Sequence, residues 1–163
     1  VAIIAGVEAG YVFPVGDQLL LDFGISFNSG EAKIGSTSTA DGKTHANSTE
    51  VKFEVSDLIT AYIAPTIALS DSASAYFKMG MAKADTKVVG DVSEPDNLIG
   101  EVYAIGTRTV LPTGVFIRTE AGFADFDQIS VQGKGSTNGI SAGTSVTADP
   151  KVAFGTVSLG YKF

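Results

Sequence analysis

The C-terminal stretch Ala153-Phe-Gly-Thr-Val-Ser-Leu-Gly-Tyr-Lys-Phe163 decides the fold class of this chain. Every second residue of its last part is apolar or aromatic, and small or polar residues stand between them. The apolar set is Val157, Leu159, Tyr161 and Phe163. A period of two residues is that of a β-strand with one apolar and one polar face. The stretch therefore predicts an amphipathic final strand.

Composition fits a β-rich chain of one domain, residues 1–163. No apolar run approaches the roughly 18 to 20 residues of a membrane-spanning helix. The 19 glycines disfavour helices, and the many Ser, Thr, Val and Ile residues favour strands. The absence of cysteine excludes disulfides and thiolate metal sites. A net charge of −7 argues against a nucleic-acid partner.

The same alternation recurs in about seven segments, most clearly from Gln18 to Asn28. Odd-numbered residues such as Leu21 and Phe23 form the apolar face, and even-numbered residues such as Asp22 form the polar one. Asp57 interrupts the apolar positions of its segment, which indicates a bulge or the edge of an apolar zone. The pattern predicts one continuous apolar face across all of the strands.

The connections between these segments alternate in length. Long polar loops are predicted at 29–49, 89–97 and 133–150, and tight turns at 14–17, 70–72 and 112–114. Short turns at one end and long loops at the other are typical of outer-membrane barrels. The sequence therefore predicts an all-β, antiparallel up-and-down transmembrane β-barrel in the bacterial outer membrane. Its long loops would meet any extracellular ligand.

The number of strands departs from this pattern. About seven are visible, whereas bacterial single-chain barrels have an even number. We expect eight strands in all. The eighth is expected either before Val1, as a first strand that this chain lacks, or hidden inside the loop 133–149.

The chain resembles the small eight-stranded outer-membrane β-barrels, the class of the OmpA transmembrane domain, OmpX and the opacity proteins. The resemblance is carried by the alternating C-terminal residues and by the segments Gly6–Phe13 and Glu120–Phe123. It implies that Val157, Leu159, Tyr161 and Phe163 act as an assembly signal. The implied partners are outer-membrane lipid and, transiently, the barrel-assembly machinery.

Charged side chains of the strands fall mostly on the even-numbered face. They are Glu8, Asp22, Lys78, Arg108, Arg118, Glu120 and Lys162. The interior of an eight-stranded barrel is only wide enough for side chains to fill, so these charges must pair with one another. The favoured interpretation is a packed ionic plug. The alternative is a narrow or gated ion path, and the resemblance implies a link between such ion pairs and gating.

Aromatic residues of the odd-numbered face are predicted to lie at the membrane interfaces. Tyr11, Phe13 and Tyr103 are the main candidates, together with the terminal aromatics. Amphipathic rings suit the headgroup level because one end is apolar and the other is wet.

No catalytic constellation is visible. His45 is the only histidine and falls in a predicted loop, so a Ser–His–Asp site is disfavoured. Asp125 and Asp127 are interpreted as a solvated rim. No metal or cofactor site is predicted, and the chain is not expected to be an enzyme. The favoured function is a structural or surface-interaction barrel; the alternatives are a small passive pore and a soluble β-barrel that binds a small apolar ligand.

Overall fold

A computed structural model of the chain describes residues 5–30, 32–38, 50–89, 92–93, 97–135 and 142–162. Within these ranges the chain forms ten strands. They are β1 (Ala5–Pro14), β2 (Leu19–Ser29), β3 (Ala32–Ser38), β4 (Glu50–Ala68), β5 (Ala73–Val89), β6 (Leu98–Val110), β7 (Val115–Phe126), β8 (Ile129–Gln132), β9 (Ser145–Ala148) and β10 (Lys151–Tyr161). No helix long and apolar enough to span a membrane occurs in the described ranges.

Seven of the strands form one antiparallel sheet in the order β1-β2-β4-β5-β6-β7-β10. The short strand β3 pairs with the N-terminal part of β4, and β8 pairs with β9 in a separate two-stranded sheet. The sheet curls into a half-barrel with β1 and β10 at its edges. The all-β antiparallel fold predicted from the sequence is thus confirmed.

Two predicted loops contain strands. Segment 29–49 includes β3, and segment 133–150 includes β9. The segment 133–149, one of the two expected sources of an eighth barrel strand, thus contains β9, but β9 pairs with β8 and is not a strand of the wall. Between the predicted turn 112–114 and the predicted loop 133–150 the chain forms two strands, because Asp127 and Gln128 separate β7 from β8. The described residues do not cover the predicted loops completely. Residues 31, 39–49, 90–91, 94–96 and 136–141 lie outside them, as does Phe163.

The curl of the sheet follows from a contact between distant strands. Glu8 on β1 is hydrogen-bonded to Arg118 on β7, although five strand-to-strand steps separate them in the sheet. In a flat sheet those steps would hold the two strands about 24 Å apart. The sheet must therefore fold round, so that side chains of its concave face meet across the interior.

The strands are also staggered relative to one another. Followed from strand to strand through the hydrogen-bonded register, Glu8 leads to Phe126 on β7. Yet Glu8 contacts Arg118, which stands eight positions earlier than Phe126 on that strand. Such a stagger arises when the strands of a closing sheet tilt against the barrel axis.

Through most of the sheet, odd-numbered residues face outward and even-numbered residues face inward. On β6, for example, Leu98 and Val102 are buried, whereas Ile99 and Ile105 are exposed. The rule changes within β4. Asp57 has a φ of 50°, and the β4–β5 register shifts between Ser56 and Ile59. This is the bulge that the sequence indicated as one of two possibilities. On the far side of the bulge, even-numbered positions of β4 pair with odd-numbered positions of β5, as Ser56 does with Asp85.

Candidate functional site: an ionic cluster on the concave face

Four charged residues meet on the concave face, and we call them the ionic cluster. Glu8 comes from β1, Lys78 from β5, and Arg118 and Glu120 from β7. Lys78 Nζ lies 2.8 Å from Glu120 Oε2 and 3.4 Å from Glu8 Oε2. Arg118 is hydrogen-bonded to Glu8 through both terminal nitrogens, and its Nη2 lies 3.5 Å from Glu120 Oε2. Each base therefore contacts both acids.

Two tyrosines complete the cluster from neighbouring strands. Tyr62 Oη donates to Glu8 Oε1 at 2.7 Å, and Tyr76 Oη donates to Glu120 Oε2 at 2.9 Å. Lys78 Nζ also lies 4.3 Å from the centroid of the Tyr62 ring, which adds a cation–π contact. Among the described residues, no buried polar side-chain atom lacks a hydrogen-bond partner. The cluster is thus a satisfied network, as buried charge requires.

Glycines on adjacent strands make room for these tyrosines. A Cβ placed on Gly24 would stand 2.8 Å from Tyr62 Oη, and a Cβ on Gly106 would stand 2.3 Å from Tyr76 Oη. Both distances are well below ordinary van der Waals contact. The small and large residues alternate across the strands, which is how a narrow barrel interior is filled.

A second ion pair lies beside the cluster. Arg108 Nη1 on β6 is 2.8 Å from Asp22 Oδ2 on β2. Arg108 and Arg118 stand directly opposite each other in the β6–β7 register, where like charges are unfavourable. Each arginine is neutralised by a different acid, so the repulsion is offset. Three acids and three bases together leave this part of the concave face with balanced charge.

Lys162 does not join this arrangement. The sequence pattern put it on the inward face, but β10 ends at Tyr161 and Lys162 lies exposed beyond it. Its backbone N–H donates to Gly114 O at 2.9 Å, which fixes the chain end against the turn between β6 and β7. The strand therefore ends before Lys162, which the sequence pattern had placed in it.

An apolar cluster fills the other half of the concave face, toward the end that carries the long loops. Nine buried residues, which we call the apolar cap, form it: Ala82, Ala84, Val92, Leu98, Val102, Ala124, Phe126, Ile129 and Val131. Ile129 and Val131 belong to β8, so the β8–β9 hairpin packs over this end of the half-barrel. The cap was not predicted from the sequence. The available signal was the run of apolar residues at even-numbered positions such as Leu98 and Val102.

The convex face exposes large apolar side chains on every strand of the sheet. One register line crosses six of the strands through aromatic or aliphatic residues, namely Tyr11, Phe23, Ile63, Met79, Tyr103 and Phe123. Val157 and Leu159 of the terminal strand are 78% and 77% exposed. Tyr11, Phe13 and Tyr161 also lie exposed on this face.

Charged residues border this apolar surface at the loop end, and we call them the charged border. They are Lys83, Asp85, Glu101, Asp125 and Lys151. Lys151 Nζ pairs with Asp125 Oδ2 at 2.7 Å, and that hydrogen bond and charge raise the pKa of Lys151 above its usual value. Tyr103 Oη donates to Glu101 Oε2 at 2.7 Å, so its ring lies on the apolar side and its hydroxyl at the border.

The described residues contain no group of three or more acidic or histidine side chains that would hold a metal ion. Asp125 is engaged with Lys151 at the rim, and Asp127 is exposed between β7 and β8. No protein-family model, curated protein or solved structure matches this chain.

Proposed function

We propose that the chain is an integral β-barrel of the bacterial outer membrane with a structural and surface-interaction role. The distribution of side chains carries the proposal: ion pairs are buried on the concave face, and large apolar residues are exposed on the convex one. Soluble proteins rarely expose a contiguous apolar patch of more than a few hundred Å². Here the exposed apolar surface extends over all seven strands of the sheet, and lipid would cover it.

The height of the apolar surface fits a membrane. On β10 it runs over nine residues, from Ala153 beside the charged border to Tyr161 at the turn end. At a rise of about 3.3 Å per residue, nine residues extend roughly 30 Å. A tilt of about 40° reduces the height to roughly 23 Å, close to the ~25 Å apolar band of outer-membrane barrels.

The filled interior supports a structural role. The ionic cluster occupies one part of the concave face and the apolar cap occupies the loop end. In the proposed barrel an eighth strand, antiparallel to its neighbours, closes the wall, because open sheet edges do not occur in lipid. Segments 29–49, 89–97 and 133–150 then contact the exterior. The barrel-assembly machinery and outer-membrane lipid are the proposed partners.

A pair of matched substitutions on β6 tests membrane insertion. Ile105 lies within the apolar surface and is 66% exposed, whereas Ile99 lies beyond Glu101 of the charged border and is 48% exposed. An arginine at the bilayer midplane costs about 2 to 4 kcal/mol, and one near the interface about 0 to 1. We therefore expect Ile105→Arg to reduce folding into lipid vesicles strongly and Ile99→Arg to leave it nearly unchanged.

In a soluble protein both exposed isoleucines would accept arginine equally well, so equal behaviour of the two variants contradicts the proposal. Extraction provides a second measurement. The wild-type chain should leave membranes only with detergent. A chain that leaves without detergent would instead favour a soluble β-barrel that binds a small apolar ligand.

A small passive pore is the second candidate, and the shared contacts of the ionic cluster favour it. Because Lys78 and Arg118 each contact both Glu8 and Glu120, the pairs can exchange partners without leaving a charge alone. Such an exchange would open a path past the cluster. Planar-bilayer recording decides between the candidates: absence of reproducible conductance in the wild type, with the barrel folded, excludes the pore.

A further inference from the structure

The two edge strands of the sheet contain no buried residue. On β1, nine of the ten residues are exposed and Val12 is half-buried. No residue of β10 is buried. By contrast, β6 in the middle of the sheet buries four of its inward positions. Within the ionic cluster the side chain of Glu8, from β1, is 26% exposed, whereas that of Lys78 is 5% exposed.

The directions of the edge strands determine what fits between them. All neighbouring strands of the seven-stranded sheet are antiparallel, so its first and last strands run in the same direction. If β1 and β10 paired directly, they would form a parallel ladder. A single strand running the opposite way would be antiparallel to both and would close the wall in the pattern of membrane barrels.

A second copy of the chain does not satisfy this requirement. Two copies inserted in one membrane orientation present β1 and β10 running the same way, so any direct pairing of their edges is again parallel. The strand that fits must run opposite to both. Its length is set by its neighbours, which have 10 and 11 residues.

We infer that the gap between β1 and β10 binds one extended strand of this length, in the manner of strand addition to a sheet edge. Its outward side chains are apolar, because they lie between Ala9 and Tyr11 on one side and Val157 and Leu159 on the other. Its inward side chains are small and uncharged, since the acids and bases of the interior are already paired. A hydroxyl among them would donate to the exposed part of Glu8.

The inference rests on the proposed barrel for the shared orientation of copies, but its test does not depend on a membrane. The chain has no cysteine, so a single introduced cysteine is the only thiol that can react and identifies where the peptide binds. Outward variants Ala9→Cys on β1 and Leu159→Cys on β10 mark the edges, and Met79→Cys on β5 is the control. The probe is a synthetic strand of the length of β10 with valine outward and serine, threonine or glycine inward.

Each probe carries one cysteine, placed in turn at every outward position and activated with a 2-thiopyridyl group. Attack by the protein thiolate forms the protein–peptide disulfide and releases 2-thiopyridone, which is followed by absorbance. We expect the best probe to react with Ala9→Cys and with Leu159→Cys at least about tenfold faster than with Met79→Cys. A probe of the same composition in scrambled order should show no preference.

Two results overturn the inference. One is equal reaction at the edges and at Met79→Cys, which would mean that the peptide merely adheres to apolar surface. The other is an internal disulfide in the Ala9→Cys/Leu159→Cys double variant without peptide, because bridged cysteines need Cα atoms within about 7 Å and the edges would then be in direct contact. The reaction rates and the internal disulfide can both be measured in detergent or in buffer, without a membrane. A failure of the proposed membrane insertion is detected separately, by the comparison of Ile105→Arg with Ile99→Arg.

Discussion

The centre of the sheet and its edges carry the same alternating sequence pattern but differ in their surroundings. In the centre, Lys78 is enclosed by Tyr62, Glu8 and Glu120. At the edge strand β10, the inward residue Thr156 is exposed. Alternation decides only the side to which a side chain points. Whether the side chain becomes buried depends on having strands on both sides, and β1 and β10 have only one.

Two lysines give the largest expected contrast. Lys78→Met would leave Glu8 and Glu120 sharing Arg118 alone, and breaking a buried pair in this way costs about 3 to 5 kcal/mol. Lys151 is 69% exposed and its partner Asp125 is 45% exposed. Lys151→Met on the edge strand should therefore leave the free energy of unfolding nearly unchanged, because exposed ion pairs contribute little to stability. The free energy of unfolding in urea measures both, followed by far-UV circular dichroism because the chain has no tryptophan. Similar losses in the two variants would show that the cluster is not desolvated.

Two glycines give a smaller contrast. A Cβ on Gly122 of β7 would stand 2.3 Å from Tyr103 O and 2.6 Å from Ala104 Cβ, whereas one on Gly155 of β10 would meet only Glu120 O at 3.9 Å. Gly122→Ala should destabilise the protein by about 1 to 3 kcal/mol through overpacking. Gly155→Ala should be neutral or stabilise by up to about 1 kcal/mol, because alanine restricts the unfolded chain. Thermal unfolding of the two variants beside wild type is the measurement. A loss at Gly155 as large as at Gly122 would place an undetected neighbour against β10.

Two tyrosines give the smallest contrast. Tyr76→Phe removes the hydroxyl that donates to the buried Glu120, and we expect a loss of about 1 to 3 kcal/mol in the free energy of unfolding. Tyr11 on β1 is 62% exposed and packs against Phe23 through its ring. Tyr11→Phe should change stability by less than about 0.5 kcal/mol, as exposed substitutions usually do. Equilibrium urea titrations compare them. A larger effect at Tyr11 than at Tyr76 would mean that the edge is more constrained than the centre.

The wall of the half-barrel was predictable because its strands are long and mostly alternate between apolar and polar residues. The segment predicted from Gln18 to Asn28 is observed as Leu19–Ser29, and the odd-numbered residues point outward. The meeting of Glu8, Lys78, Arg118 and Glu120 was only partly predictable. Their shared face follows from even numbering, but the choice of partners depends on the stagger between β1 and β7, which no local pattern contains.

The remaining features depend on interactions that alternation does not encode. The strands β8 and β9 have four residues each, which is too short for a periodic signal among Ser, Thr and Val residues. They form because Ile129 and Val131 find apolar partners in the cap. Lys162 falls outside the sheet because its partner strand β7 begins at Val115, opposite Tyr161.

The bulge at Asp57 separates two parts of β4 that pair with different strands. From Leu58 onward β4 pairs with β2 and forms part of the wall. Before the bulge it pairs with β3, so that β3, β4 and β5 form a three-stranded extension of the same sheet. Because the register shift is confined to residues 56–59 and the ionic cluster lies on the wall side of it, we expect changes in the extension to leave the ionic cluster in place. A peptide epitope inserted between β3 and β4 is therefore expected to be displayed without a change in the seven strands of the wall.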